Sequence, residues 1–144
     1  MERTITIWSM LDSILTQYSS RIKDRIGEYS LTRTDYKLLY LVSTEPRNMK
    51  YLADELSLAK GWVTDITDGL EQMGLVKRIH SNDDRRVINI QITDKGLKVF
   101  NEIQGVIKSI INESISSLPA KDIEQLCNIL AKIDINLKST NNKK

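Results

Sequence analysis

The sequence predicts a mainly α-helical protein with one small β-hairpin. Apolar residues recur at helical spacing over most of the chain. The length of 144 residues is typical of one domain. Strict alternation of apolar and polar residues is confined to Val87–Thr93, the pattern of a half-buried strand. Breakers at Glu45–Asn48 and Gly74 separate two short helical segments from longer ones on either side.

The first two helices have identifiable ends. The N-terminal pattern runs from about Ile5 to Gly27, and Gly27 is expected to follow this helix as its C′ residue. Thr32 is expected to cap the second helix, with Asp35 three residues on, near the positive end of the helix dipole. The apolar side of this helix consists of Leu38, Leu39, Leu41 and Val42.

A helix-turn-helix and a hairpin follow. Met49–Leu56 and Lys60–Met73 are predicted to be short helices joined by a turn at Ser57 and Leu58. Strands are predicted at residues 75–80 and 87–93, joined by the loop 81–86. A hairpin directly after the second helix of a helix-turn-helix is a wing, so the predicted fold class is a winged helix-turn-helix.

The second helix of this pair has one apolar face and one polar face. Val63, Ile66 and Leu70, with Met73 beside them, form the stripe that must pack inward. The opposite face, with its flank, carries Gly61, Trp62, Thr64, Asp65, Asp68, Gly69 and Gln72. In a helix-turn-helix that face enters the DNA major groove, where Thr64 is placed to contact a base edge or a phosphate.

Three residues of this polar face have open alternatives. Asp65 and Asp68 repel phosphates, and each is able to accept a hydrogen bond from cytosine N4 or to hold a neighbouring basic side chain. The other alternative is a solvated acidic helix face. Trp62 either contacts DNA from the flank of the groove or packs against the wing or the preceding helix.

The positive charge is concentrated on the hairpin. The net charge is only +2, so any basic footprint for nucleic acid must be local. The hairpin and its tip carry Lys77, Arg78, Arg85 and Arg86. Arginines on such a tip can enter a narrow minor groove, and Asp84 is positioned to fix the rotamer of Arg86. A solvated, charged hairpin loop is the alternative.

The terminal helices predict a homodimer. Apolar stripes run along both long C-terminal helices (Ile103, Ile107, Ile110, Ile111 and Ile115; Ile123, Leu126, Ile129, Leu130, Ile133 and Leu137) and along the N-terminal helix. A small winged module has too little surface to cover them, so a partner subunit is expected, with intramolecular three-helix packing as the alternative. The predicted organisation is a DNA-binding lobe at about 30–96 and dimerisation helices at about 1–27 and 97–138, together in a single domain. Pro119 is expected in the first turn of the last helix, and residues 139–144 as a flexible tail.

Several function classes are disfavoured. The chain has one histidine, His80, no glycine-rich phosphate loop and no paired metal ligands, so neither an enzyme nor a cofactor or metal site is expected. The single cysteine, Cys127, fits a cytoplasmic protein, and no apolar run is long enough for a membrane helix. The rival function is a winged-helix dimer that binds protein, with weak or lost specific DNA binding.

The sequence resembles the MarR family of bacterial and archaeal regulators. The resemblance rests on residues 51–56, on Val63-Thr64 and on residues 70–78. Its most specific part is Asp84-Arg85-Arg86, then five residues, then Ile92-Thr93-Asp94-Lys95-Gly96, which is similar to the family's wing signature. The chain departs from the family pattern at Ala59, Asp65 and Gly69.

The resemblance implies a homodimeric regulator, expected to be a repressor, on a pseudo-palindromic operator of double-stranded DNA. Helix 60–73 would lie in the major groove and wing 81–86 in the minor groove. The implied DNA-binding residues are Lys60, Gly61, Trp62, Thr64, Asp65, Asp68, Lys77, Arg78, Asp84, Arg85 and Arg86. A small aromatic or phenolic effector is implied between the dimer and DNA-binding parts, where Trp8, Tyr18, Tyr36 and Tyr40 are the candidate lining residues.

Overall fold

The structure, a computed structural model, describes residues 2–141 and confirms a mainly helical fold with a small sheet. The helices are α1 (Arg3–Gly27), α2 (Arg33–Val42), α3 (Met49–Leu56), α4 (Lys60–Gln72), α5 (Asp94–Ile115) and α6 (Ala120–Asn141). The strands are β1 (Arg47–Asn48), β2 (Val76–His80) and β3 (Ile88–Ile92). The backbone divides into two compact units at the boundary between Lys108 and Ser109.

The sheet has three antiparallel strands in the order β1-β3-β2. The predicted hairpin is confirmed to within one residue at each end, with Arg78 opposite Ile90. Strand β1, in which Arg47 pairs with Ile90, was not predicted. Two residues are too few to show an alternating pattern, and the second of them, Asn48, also caps α3 by accepting a hydrogen bond from the Tyr51 N–H at 2.8 Å.

The core of the first unit draws on every helix from α1 to α5. Its buried residues are Ile26, Leu31, Leu38, Leu39, Val42, Leu52, Val63, Leu70, Leu75, Val76, Ile90, Phe100 and Ile103. Ile26 belongs to α1, so the C-terminal end of that helix is part of this core. Ile103 is also buried here, although the sequence placed it in a dimerisation stripe. In contrast, Ile88, at the wing end of β3, is 40% exposed.

The helix ends test the predicted caps. The Thr32 side chain accepts from the Asp35 N–H at 3.1 Å, and the Asp35 carboxylate accepts from the Thr32 N–H at 2.7 Å, so the predicted cap is confirmed. The prediction for Gly27 is wrong, because Gly27 is the last helical residue. The chain closes a further turn through backbone bonds to Arg25 and Ile26, and the left-handed residue is Ser30, with φ of 59°.

The C-terminal end of α4 is joined to the first turn of α5. The Thr93 hydroxyl donates to the Gly74 carbonyl at 2.6 Å and accepts from the Gly96 N–H at 3.0 Å, which caps α5. The Thr93 N–H donates to the Leu75 carbonyl at 3.0 Å. A Cβ atom on Gly96 would lie 2.0 Å from the Leu75 oxygen, so this close approach requires glycine. We call the contacts of Thr93 and Gly96 with residues 74–75 the α4–α5 junction.

The second unit contains α6 and the end of α5. Pro119 precedes α6, and its carbonyl accepts from the N–H groups of Asp122 and Ile123. The prediction that Pro119 lies in the first turn is therefore wrong, because the helix begins at the next residue. The helix extends to Asn141, so residues 139–141 are helical and not a flexible tail, while 142–144 lie outside the described residues. No residue of α6 is buried. None of the described helices is long and apolar enough to span a bilayer.

The α4–α5 junction predicts opposite effects for two glycine substitutions in α5. Gly96→Ala should lower the free energy of unfolding by about 2 kcal/mol or more, because its methyl group would overlap a backbone carbonyl that has no free space to move into. Gly105→Ala is the control, since nothing lies within 4 Å of its added Cβ, and it should be neutral or stabilise by up to ~1 kcal/mol. Urea denaturation followed by circular dichroism measures both variants. Equal midpoints for the two variants would contradict the close contact.

Candidate nucleic-acid interface

Helix α4 presents the two faces that its sequence predicts, with one addition. Val63 and Leu70 are buried and Ile66 is half-buried. Thr67 is fully buried as well, which the sequence did not predict because threonine is polar. Its hydroxyl donates to the Val63 carbonyl at 2.8 Å, so the buried hydroxyl has a hydrogen-bond partner within its own helix. Ala59 provides no side-chain cap at the start of the helix.

The opposite face of α4 is open. Lys60, Gly61, Trp62, Asp65, Asp68, Gly69 and Gln72 are all exposed, and Thr64 is half-buried. The Thr64 hydroxyl donates to the Lys60 carbonyl at 3.0 Å, which leaves its oxygen free to accept. Trp62 is 63% exposed, so the alternative in which it packs against the wing or α3 does not hold.

Arg78 of β2 holds two acidic residues of α4. Its Nη2 lies 2.6 Å from Asp68 Oδ1, its Nη1 lies 2.8 Å from Glu71 Oε1, and its backbone N–H donates to the second Glu71 oxygen at 3.3 Å. The hydrogen bond to Asp68 raises the pKa of Arg78 above its usual value, so the guanidinium stays charged. We call this arrangement the Arg78 fork.

The Arg78 fork changes the interpretation of three residues. The sequence assigned Arg78 and Asp68 to separate DNA contacts, but the two side chains bind each other. Glu71 was not expected to take part. Asp68 therefore matches the alternative in which an acid holds a neighbouring basic side chain, although that side chain comes from the wing strand.

The wing tip has the predicted Asp84–Arg86 pair. Asp84 Oδ1 accepts from the Arg86 backbone N–H at 2.9 Å and from its Nε at 3.2 Å, and Oδ2 accepts from Nη2 at 3.3 Å. These bonds lower the pKa of Asp84, so it remains ionised until the pH falls well into the acidic range. The Arg86 side chain is still 92% exposed. The loop is closed behind it by a 2.9 Å hydrogen bond between His80 Nδ1 and the Arg85 carbonyl.

Three other predicted DNA-binding cations lie on the same two elements, α4 and the wing. Lys60, Lys77 and Arg85 are exposed, and within residues 2–141 none of their side chains forms an ion pair. The structure thus brings the predicted DNA-binding residues onto two neighbouring elements, α4 and the wing, which the Arg78 fork connects.

A separate cavity of about 530 Å³ lies in the first unit between the end of α2, β1, α3 and α5. It is lined by Tyr40, Leu41, Ser43, Thr44, Arg47, Tyr51, Leu97, Phe100, Asn101 and Gln104. We call it the Arg47 cavity. The Arg47 guanidinium lies 4.3 Å from the centre of the Tyr51 ring and pairs with Glu45 at 2.6 Å through Nη2. Its Nε is buried and has no hydrogen-bond partner among the described residues.

Of the four predicted ligand-lining residues, only Tyr40 lines the Arg47 cavity. Tyr36 stacks on Phe100 with ring centres 5.6 Å apart, and burial raises the pKa of its hydroxyl. Trp8 and Tyr18 lie on α1 and do not line this cavity. Arg47 was not predicted as a site residue, because its buried Nε is recognised only once β1 is paired with β3.

Comparison with known proteins agrees with this geometry. The sequence model of the MarR family matches residues 31–88. The HTH-type transcriptional regulator MhqR of Bacillus subtilis (strain 168) is 30% identical over 145 residues, covering 99% of both chains.

Two solved structures show the same fold. The transcriptional regulator BldR from Sulfolobus solfataricus has a TM-score of 0.73 and 30% identity, over 92% of this chain and 99% of that one. CouR from Rhodococcus jostii RHA1, solved bound to p-coumaroyl-CoA, has a TM-score of 0.76 and 21% identity, over 88% of this chain and 90% of that one. With a full-length relative at 30% identity and a family match over the helix-turn-helix, the chain belongs to the MarR family of transcriptional regulators.

Proposed function

We propose that the chain is a DNA-binding repressor that acts as a homodimer on a pseudo-palindromic operator, with α4 in the major groove and the wing in the minor groove. The observation that carries this proposal is the wing tip. Arg86 extends a 92% exposed guanidinium from a loop that Asp84 and His80 hold in shape. An ordered, projecting arginine suits the negative potential of a narrow minor groove.

The Arg78 fork lowers the repulsion between α4 and phosphates, because one guanidinium offsets one of the two carboxylate charges. Free carboxylates at Asp68 and Glu71 would repel DNA, but both are paired with one guanidinium at 2.6 and 2.8 Å. The fork also fixes the wing relative to α4, so that the two DNA contacts have a set spacing. Pre-ordering of this kind reduces the entropy lost on binding.

The apolar surfaces of α1 and α6 support the homodimer. Large side chains of α1 are exposed, including Ile5 at 51%, Trp8 at 67% and Met10 at 61%. On α6, Ile129 is 55% exposed and Leu137 is 62% exposed. A second copy of the chain would bury both helices, and a two-fold axis would present one α4 to each half-site.

The Arg47 cavity supports release from DNA by a small aromatic carboxylate. The Arg47 side chain lines the cavity and favours an anion, and Tyr40, Tyr51 and Phe100 offer ring faces to an aromatic group. Asn101 and Gln104 add amide donors from α5. CouR, which shares the fold, was solved with an aromatic acyl-CoA bound.

Salt titration of DNA binding tests the main proposal. Wild-type protein should bind the duplex upstream of its own gene with an affinity that falls steeply as salt rises, because counterions are released. Arg86→Ala should weaken binding by about 2 kcal/mol and reduce the salt slope by about 1. Lys37→Ala on α2 removes the same charge from an exposed position outside α4 and the wing and should leave both values unchanged. Fluorescence anisotropy gives the affinities, and absence of salt-dependent binding by the wild type would overturn the proposal.

Removal of the Arg78 fork should lower stability. Arg78→Ala loses two partly exposed ion pairs and should lower the free energy of unfolding by about 1 kcal/mol. Arg85→Ala removes an equal charge from the wing tip without breaking a described ion pair, so its urea midpoint should match that of the wild type. If the two variants unfold at the same urea concentration, the fork contributes nothing measurable.

Benzoate serves as the probe for the Arg47 cavity. At about 100 times its dissociation constant it should stabilise the protein by ~2.7 kcal/mol, seen as a raised Tm, and should weaken DNA binding. Arg47→Met keeps an unbranched apolar stem but removes the guanidinium, so both effects should disappear. Lys37→Met, on the exposed side of α2 and outside the cavity lining, should retain them. A benzoate response that survives in Arg47→Met would place the ligand elsewhere.

A further inference from the structure

We propose that Asp65 makes the repressor select cytosine at one position in each operator half-site. The inference rests on the proposed function, since it requires α4 to lie in a major groove. It goes further by naming the base and the side-chain atoms that read it.

Among the residues that the structure describes, Asp65 is the acid of the exposed α4 face that has no partner. Asp68 and Glu71 are both taken up by the Arg78 fork. Asp65 is exposed, and within residues 2–141 its carboxylate forms neither an ion pair nor a side-chain hydrogen bond. The alternative in which Asp65 holds a neighbouring basic side chain is therefore not what the free protein shows. The carboxylate is available to a ligand.

The ridge of α4 that carries Asp65 has no side chain one turn before or after it. Gly61 and Gly69 stand four residues before and after it, on the same ridge of the helix. Nothing lies within 4 Å of a Cβ built on either glycine, so neither is required by packing within the protein. A glycine inside a helix, such as Gly69, lowers the stability of the helix by about 1 kcal/mol relative to alanine. The two glycines let the backbone approach a base-pair edge closely, with Asp65 as the projecting polar group.

The chemistry of a carboxylate selects the base. An ionised aspartate only accepts hydrogen bonds, and the major-groove donors are the N4 amine of cytosine and the N6 amine of adenine. Adenine N6 stands beside the N7 acceptor, which repels a second carboxylate oxygen, whereas cytosine N4 stands beside a C5–H. Guanine and thymine offer oxygen and nitrogen acceptors at this edge. Cytosine is therefore the base that Asp65 favours.

The same carboxylate penalises other sequences. Near phosphates or acceptor edges it is repelled, so its presence lowers affinity for DNA that lacks the cytosine. Asp65 thus produces specificity through both an attractive and a repulsive contribution. This explains why an acid is tolerated in the middle of a surface that faces a polyanion.

Binding-site selection from randomised duplexes, followed by competition with single base-pair changes, tests the proposal. The wild type should require cytosine at one position per half-site, and replacing it should weaken binding about 5- to 100-fold. Asp65→Asn should move the preference to adenine, because an amide pairs with adenine N6 and N7. Asp65→Ala should lose the preference and bind random duplexes more tightly. Asp54→Asn, an exposed acid of α3 with the same charge change, should keep the cytosine.

Three results would overturn the inference. The first is an unchanged consensus for both Asp65 variants. The second is an affinity of the Asp65→Ala variant that rises by one common factor for every duplex, which would make Asp65 a general repulsive charge. The third is a wild type without salt-dependent DNA binding, which removes the proposed function as well and so differs from the other two. A gain of adenine preference in Asp65→Asn cannot arise from misfolding, and circular dichroism checks that both variants fold.

Discussion

The close approach of the first turn of α5 to the Leu75 carbonyl is the constraint on which the first unit depends. Gly96 allows a contact that any side chain would block, and Thr93 donates hydrogen bonds to the carbonyls of Gly74 and Leu75. Gly74 adopts a φ of 73° at the bend between α4 and β2. Residues 74–75 therefore follow the end of α4, lead into β2 and contact the first turn of α5. The direction of the exposed face of α4 and the start of the wing are set together at the α4–α5 junction.

Three arginines of the first unit differ in their acidic partners and in their exposure to solvent. Arg78 is partly covered and offsets one of the two charges of Asp68 and Glu71, whereas Arg86 is held by an acid of its own loop and remains open to solvent. A third, Arg47, is partly covered between Glu45 and Tyr51 and leaves its Nε unsatisfied. A small net charge is therefore compatible with a local cationic surface, because the acids are used to orient guanidinium groups as well as to balance them.

The sequence predicted the features that depend on neighbours a few residues apart. The Thr32–Asp35 cap, the bounds of α3 and the Asp84–Arg86 pair all involve short spacings with one dominant geometry. It missed what depends on distant pairing. Strand β1 exists only because β3 returns beside it, and the Arg78 fork needs the wing to fold back on α4. The inward position of Thr67 was hidden because its own helix satisfies the hydroxyl.

The Arg78 fork has a consequence for how ionic strength acts on this protein. Its N···O contacts of 2.6 and 2.8 Å are much shorter than the screening length of about 8 Å at physiological salt, so dissolved ions weaken the fork less than they weaken attractions over longer distances. The joint between the wing and α4 is therefore expected to keep its geometry at salt concentrations that already reduce the attraction between an exposed cation and a distant anion. If this surface binds nucleic acid, the slope of log affinity against log salt would then report the external contacts and not a loosening of the internal joint.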